Sequence, residues 1–384
     1  MKQSDNAIAT YFNAITDPRL ERNKRHKLID IILLSVCGVM CGADGWEEIE
    51  EICKASVDKF KKFLDLPNGI PSHDTFARVF SRINSEELQD CFCRWIQTVR
   101  ESIIANSENN GPEQISIDGK TLCGSFERAI TKAKSPIHLV SAWANQTRIV
   151  LGQVKTAEKS NEITAIPELL NLLELTGCIV TIDAMGCQKS IAQEILNKGA
   201  DYVLALKGNQ GDLSRGVGLG FEIIRAKNFA GIEYKFFEEE SFEHGREEYR
   251  RYWLISDLRW LPDAPIWPGM KSICMVESTR KVNGKACVEY RYYISSLSGD
   301  VEKIGRAIRN HWGVENSLHW VLDVTFGEDD CRIRNGNAAE NFSVLRRIAL
   351  NLFKREQSKR SIKRKRLLAC LNFDFMMSAL NAGL

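Results

Sequence analysis

The sequence predicts an α/β protein with an all-helical N-terminal region, and three observations predict it. Residues 8 to 105 repeat apolar side chains at spacings of three and four, the period of helices packed on one face. A polar stretch holding Ser107, Asn109, Asn110, Gly111 and Pro112 interrupts the pattern. Beyond it the period changes to two, with short apolar strands separated by helices.

In order, the N-terminal helices read as Lys27 to Met40, Gly45 to Leu64, His73 to Ile83 and Glu86 to Ile104, with Ser72 and Ser85 as N-caps. The apolar run Ile29 to Cys41 stops at Gly42, short of the roughly 18 residues of a membrane span, and reads as a buried core helix. The helix after Pro71 is a packing helix or one half of a helix-turn-helix, and the latter would turn Arg78 and Arg82 toward DNA.

Past the linker come a strand at Gln114 to Asp118 and a pair, His138 to Ala144 and Arg148 to Lys155, about an Asn145-Gln146 turn. A helix from Asn161 to Leu175, a strand from Cys178 to Asp183, a helix from Lys189 to Asn197 stopped by Gly199, and a strand from Tyr202 to Lys207 follow. The order βββαβαβ is that of a mixed sheet of the RNase H-like kind. From Gly208 to Gly299 the pattern predicts a β-rich insertion, including a hairpin turned at Asn283-Gly284 between Ile273 to Arg280 and Ala286 to Ser295. The Gly216-Val-Gly-Leu-Gly220 run inside it lacks the spacing and context of a nucleotide-binding loop. Val301 to Leu322 and most of Asn337 to Leu380 read as helices. The domain reading is therefore 1–105 helical, 106–113 linker and 114–384 catalytic, with the insertion at about 208–299.

Composition narrows the function classes. The chain has 384 residues, 44% of them apolar and 27% charged, enough for a sizeable core in two or three domains. It shows no secretion signal or membrane span, so a cytoplasmic location is expected, and its 12 cysteines, diluted in a long chain, read as reduced thiols. Cys37/Cys41 and Cys91/Cys93 lack zinc-knuckle spacing. The net charge of +2 identifies no partner, but basic residues gather at Arg19 to Lys27 and at Lys354 to Arg366. Either cluster alone reads as a solvated face.

Asp118 and Asp183 each end an apolar strand, where a carboxylate is costly unless it caps a turn or meets a cation. Glu315 falls within the helix expected at Val301 to Leu322, with His311 and His319 four residues to either side, so that all three share one face. Oxygen-only ligation suits Mg²⁺ or Mn²⁺, and a two-ion site activates an attacking oxygen and stabilises a leaving one at a phosphodiester. A zinc site on the histidines is the weaker reading because the HExxH spacing is absent.

These residues stand in blocks that carry a resemblance: Ile-Ser-Ile-Asp118-Gly-Lys120, Thr-Ile-Asp183-Ala-Met-Gly, Asp201-Tyr-Val-Leu-Ala-Leu-Lys207-Gly-Asn209-Gln, His244-Gly-Arg246 and His311-Trp-Gly-Val-Glu315-Asn-Ser-Leu-His319-Trp. The chain resembles bacterial insertion-sequence transposases of the DDE superfamily, in the branch that includes the H-repeat-associated proteins, over about residues 8 to 380. The resemblance implies an RNase H-like catalytic domain with a β-strand insertion, preceded by a small helical domain. It implies a catalytic, metal-binding triad of Asp118, Asp183 and Glu315. It also implies double-stranded DNA as partner, both transposon ends and target, and a homodimer across paired ends. Where related groups carry a Tyr, an Arg and a Lys on the glutamate helix, this chain has Ile308, His311 and Leu322.

Lys120, Lys207, Asn209, His311, His319 and Arg332 are candidates for holding DNA phosphates, as are Lys363 and Arg364 in the second basic cluster. Asp323, Glu328, Asp329 and Asp330 form a further acidic group, expected to cap or to pair with Arg332. The activity expected is metal-dependent cleavage at transposon ends followed by strand transfer. The alternatives are a nuclease of the same fold that never joins strands, and a DNA-binding relic without catalysis.

Overall fold

The computed structural model describes residues 7–107, 111–125, 136–157, 161–243, 246–282 and 285–382. The Asn283-Gly284 turn and His244-Gly245 lie outside them. The chain forms two compact units. The first gathers residues 1–110, 119–159 and 315–384, and the second 111–118 and 160–314. Among the described residues no helix is long and apolar enough to cross a membrane.

In the first unit, helices α1 (Ala7–Phe12), α2 (Leu28–Met40), α3 (Trp46–Ala55), α4 (Val57–Phe60), α5 (His73–Phe80) and α6 (Ser85–Ala105) make up the N-terminal part. α2, apolar but for Asp30 and Ser35, is buried from Ile29 to Met40. Gly38 lets α3 approach it, since a Cβ there would stand 2.8 Å from Ile49. The helix expected over Gly45 to Leu64 breaks at Ser56 into α3 and α4. The cap of α6 is Asn84 rather than Ser85: its side chain accepts from the amides of Glu86 (2.7 Å) and Glu87 (3.3 Å).

Residues 119–122 of β1 (Gln114–Leu122), β2 (Ile137–Ala144) and β3 (Ile149–Lys155) also belong here, in the order β3-β2-β1 with β2 and β3 antiparallel. The C-terminal helices α11 (Trp320–Phe326), α12 (Ala338–Arg355), α13 (Ile362–Leu371) and α14 (Phe373–Asn381) complete the unit. α12 packs on α2 and is buried along nearly its whole length. Buried polar contacts fix it: Asn341 donates to the carbonyls of Phe80 and Ile83, Asn351 brackets the backbone of Val150, and Arg347 pairs with Glu328 at 2.7 Å with both side chains fully enclosed.

The second unit is built on the strand order β1-β4-β5-β9-β8-β7-β6, with β4 (Ile179–Ile182), β5 (Asp201–Leu206), β6 (Lys235–Glu243), β7 (Arg246–Ile255), β8 (Ser272–Val282) and β9 (Lys285–Ser295). β1, β4 and β5 run parallel; β9 turns antiparallel on β5, so the inserted strands extend the same sheet. Helices α7 (Glu162–Leu172), α8 (Lys189–Asn197), α9 (Gly211–Ala226) and α10 (Val301–Asn310) accompany it. α9 adds a helix to the β-rich insertion expected over about 208–299. It buries Leu213, Val217, Phe221 and Ile224 on one face, and its glycines serve packing, since a Cβ on Gly220 would stand 2.3 Å from the Trp260 ring. α10 lays Ile304, Ala307 and Ile308 on a core with Ile179, Val203, Tyr252 and Val276.

Candidate active site

In the second unit the parallel strands β1 and β4 pair in the register Ile117↔Ile182, so Asp118 and Asp183 are the next residues on each. Neighbouring strands lie about 4.8 Å apart, and both aspartates are half-buried. Two carboxylates placed so repel unless a cation or a proton lies between them.

Strand alternation puts Gln114, Ser116 and Asp118 on one face of β1, and Thr181 and Asp183 on one face of β4. On this face a buried polar ladder runs toward the aspartates. Gln114 Nε2 donates to Thr181 Oγ1 (3.1 Å) and to the carbonyl of Ala307 on α10 (2.8 Å). Thr181 Oγ1 donates to Ser116 Oγ (3.1 Å) and shares a 2.9 Å hydrogen bond with His311 Nδ1. Burial pushes the His311 imidazole down to about 4, so it is neutral at pH 7. His311 thus ties the end of α10 to the sheet, four residues before Glu315, and carries no positive charge for a phosphate. The ladder was missed in the sequence, although polar residues at alternate places of an apolar strand signal it.

The turn after β4 is tightly set. Asp183 Oδ1 accepts from the amides of Met185 (2.9 Å) and Gly186 (3.4 Å), a turn-capping arrangement. Gly186 is required because a Cβ there would meet Ile182 Cγ2 at 2.3 Å and Ile166 Cδ1 at 2.9 Å. Asn209 Nδ2 donates to the Ala184 carbonyl (2.6 Å) and Gln210 Nε2 to that of Cys187 (2.7 Å). Asn209 therefore braces the Asp183 turn, while Lys207 stands exposed just past β5. Parallel sheets bind ligands at this carboxyl end of their strands.

In the first unit Glu315 begins a single π turn, Glu315–His319, followed by α11. The continuous helix expected from Val301 to Leu322 is thus corrected: α10 ends at Asn310. Because the π turn adds a residue to the α repeat, the expected common face of His311, Glu315 and His319 is not formed by a helix. Glu315 is half exposed, and His319, nearly enclosed, offers Nδ1 at 3.9 Å from Glu315 Oε2, close enough for both to serve one ion.

Lys120 is not at the surface. Its side chain is 7% exposed and ion-paired with Asp323 on α11 and, at 2.8 Å, with Asp329. These carboxylates outweigh the burial that would lower its pKa, which is raised; for Asp323 burial wins, and its carboxyl is pushed up. The acidic group after Glu315 is thereby assigned to Lys120 and, through Glu328, to Arg347 rather than to Arg332, which is exposed. Arg334 Nε donates to the carbonyl of Gly124 (3.0 Å), where a Cβ would meet the Cys331 carbonyl at 2.4 Å, so residues 329–334 are docked on the end of β1.

The second basic cluster divides. Lys363 and Arg364 are exposed on α13, whereas Lys365 bonds the Phe353 carbonyl (2.7 Å) and Arg366 the Val39 carbonyl (3.2 Å) and Asp44 (3.1 Å). Lys354, buried beside Arg148 and Lys365, is pushed down to about 8 and lies 5.4 Å from the Trp143 ring centre.

A family model described as "Transposase DDE domain" matches residues 109–352, and one described as "DDE_Tnp_1-associated" matches residues 9–96. The chain belongs to the DDE transposase family. It is 42% identical over 383 residues to the "H repeat-associated putative transposase YhhI" of Escherichia coli K12, covering 97% of each chain. With "Putative transposase YncI" of Escherichia coli O157:H7 it shares 45% over 371 residues, 95% of this chain and 92% of that one. Both place it in the insertion-sequence branch with the H-repeat-associated proteins. Among solved structures, the piggyBac transposase synaptic complex with hairpin DNA covers 98% of this chain and 78% of that one, at 13% identity and a TM-score of 0.41, too loose a likeness to argue from.

Proposed function

We propose that this DDE transposase cleaves the phosphodiesters at the ends of its own element and joins them to target DNA, on an RNase H-like catalytic domain. Asp118, Asp183 and Glu315 are the proposed catalytic residues and hold two divalent ions, Mg²⁺ or Mn²⁺. The observation that carries the reading is the pair of half-buried aspartates just past the matched residues Ile117 and Ile182 of adjacent parallel strands.

The donors suit such ions: carboxylate oxygens are hard ligands, and a like-charged pair is eased by a dication. When bound, the ions supply Lewis acidity to the attacking and leaving oxygens of the phosphodiester. The protein's part is placement. Asp183 keeps its carboxylate oriented through the Met185 and Gly186 amides, and Asn209 braces that turn. His311 anchors the chain leading to Glu315. Lys207, exposed at the strand ends, is the side chain proposed to steady a phosphate, with Arg332, Lys363 and Arg364 as outer contacts. Lys120, enclosed, and His311, half-buried, are both bonded within the fold and act by positioning.

The test is incubation of the purified protein with DNA carrying the ends of its flanking element, with Mg²⁺ or EDTA, scoring nicked and joined strands. Metal-dependent nicking followed by joining is expected, and Asp118→Asn should abolish both while DNA binding persists. Cutting without joining would replace the reading by a nuclease; cutting by Asp118→Asn would remove the triad.

A further inference from the structure

Within the first unit a groove of about 680 Å³ opens beside α5. Two stretches distant in sequence form its basic walls: Arg22 and Arg25 ahead of α2, and Arg78 on α5 with Arg82 in the turn just past it, with His26 and Asn68 between. The loop carrying the first pair is fixed from within. Arg19 forks onto Asp17 (2.9 and 2.8 Å) and donates to the His26 carbonyl (2.8 Å), while Asn68 Nδ2 donates to the Arg25 carbonyl (2.6 Å). Lys24 is taken by Glu21 and Asp17.

That leaves Arg22, Arg25, Arg78 and Arg82 exposed, in no ion pair among the described residues; Arg78 Nε alone reaches a backbone carbonyl, that of Asp74 (3.1 Å). His26 reports the local field, its pKa lowered by burial and by the charges of Arg19 and Arg25. Its Nδ1 is buried without a hydrogen-bond partner among the described residues. Four like charges gathered around one concavity repel each other until an anion enters it.

We propose that this groove binds backbone phosphates of double-stranded DNA, as a site made of residues separate from the strand-end carboxylates. The proposal rests on the reading that DNA is the substrate, and it names where in the N-terminal part the duplex is held. Planar guanidiniums fit phosphates as forks, and both walls of the groove carry them. No Phe, Tyr or Trp lines the groove, so it lacks the stacking platforms that unpaired bases require.

The test is binding of a labelled DNA duplex of about 30 base pairs, in EDTA, as a function of salt. Each phosphate contact adds about 0.9 to the slope of log affinity against log salt. Replacing Arg22, Arg25, Arg78 and Arg82 together by Gln should flatten the slope by about 3.6 and weaken binding more than tenfold at about 0.1 M salt. Arg78→Lys with Arg82→Lys should keep most of the slope. The single variants Arg25→Gln and Arg82→Gln, both at exposed side chains, each remove about one contact should the fourfold variant not fold. An unchanged slope, or tighter binding of a single strand or an RNA duplex of equal length, would overturn the proposal. Cleavage of end DNA in Mg²⁺ separates the two readings: groove-dependent binding without cutting removes only the catalytic reading, and cutting with an unchanged slope removes only this one.

Discussion

Replacing Lys120 by Met decides whether that lysine holds the fold or the DNA. The substitution keeps the aliphatic bulk and removes a cation that pairs with both Asp323 and Asp329. Breaking a fully buried pair costs about 3–5 kcal/mol. Here Asp323 and Asp329 are 33% and 38% exposed, so water screens part of the loss and about 1–3 kcal/mol is expected at pH 7. The sign of the pH dependence follows from Asp323, whose carboxyl is already pushed up by burial and would rise further without Lys120. A folded carboxyl with a raised pKa binds more protons than the unfolded one, so the deficit shrinks as pH falls toward about 4. Urea unfolding at pH 7.5 and pH 4.5, wild type against Lys120→Met, measures both. A variant as stable as wild type at pH 7.5 but with a flatter salt slope for DNA would refute the positioning role and restore Lys120 as a phosphate contact.

Three further outcomes follow from the same geometry. Gly186→Ala drives a methyl into Ile182 and Ile166; it should cost about 1–3 kcal/mol by overpacking and lower cleavage more than DNA binding, which thermal melting and a nicking assay would record. Arg347→Met leaves Glu328 buried and unpaired and should cost about 3–5 kcal/mol, most of it regained in Arg347→Met with Glu328→Leu; a double variant no better than the single one would show that the charges matter less than the packing. His311 is neutral when folded down to about pH 4 and charged in the unfolded chain below about 6.5. It therefore withdraws up to about 3 kcal/mol of stability as pH falls from 6.5 to 4, and His311→Gln should flatten that stretch of the stability profile.

Much of this was legible in the residues because local rules carried it. Asp118 and Asp183 announce themselves as carboxylates after apolar runs, although β1 continues past Asp118 to Leu122, and α8 occupies the predicted range Lys189–Asn197. α9 was hidden although its apolar stripe Leu213, Val217, Phe221 and Ile224 has helical spacing. Three interleaved glycines masked it, and the purpose of Gly216 and Gly220, room for Leu261 and Trp260, is a tertiary fact. The π turn at Glu315 is likewise invisible to a period of 3.6, which reads straight through it. No sequence rule pairs Lys120 with Asp323 or Arg347 with Glu328, since those partners are chosen by packing.

The burial of α2 against α12 has a consequence for synthesis. The first long apolar helix to leave the ribosome packs on a helix encoded some 300 residues later. Until then the face of α2 that meets α12 has no native cover, so the nascent chain presents a sticky segment for most of its elongation. A chain stopped after Glu315 would retain Asp118, Asp183 and Glu315 and still lack the lid on its own core. Such truncations should surface as aggregation and proteolysis rather than as a soluble protein of altered chemistry.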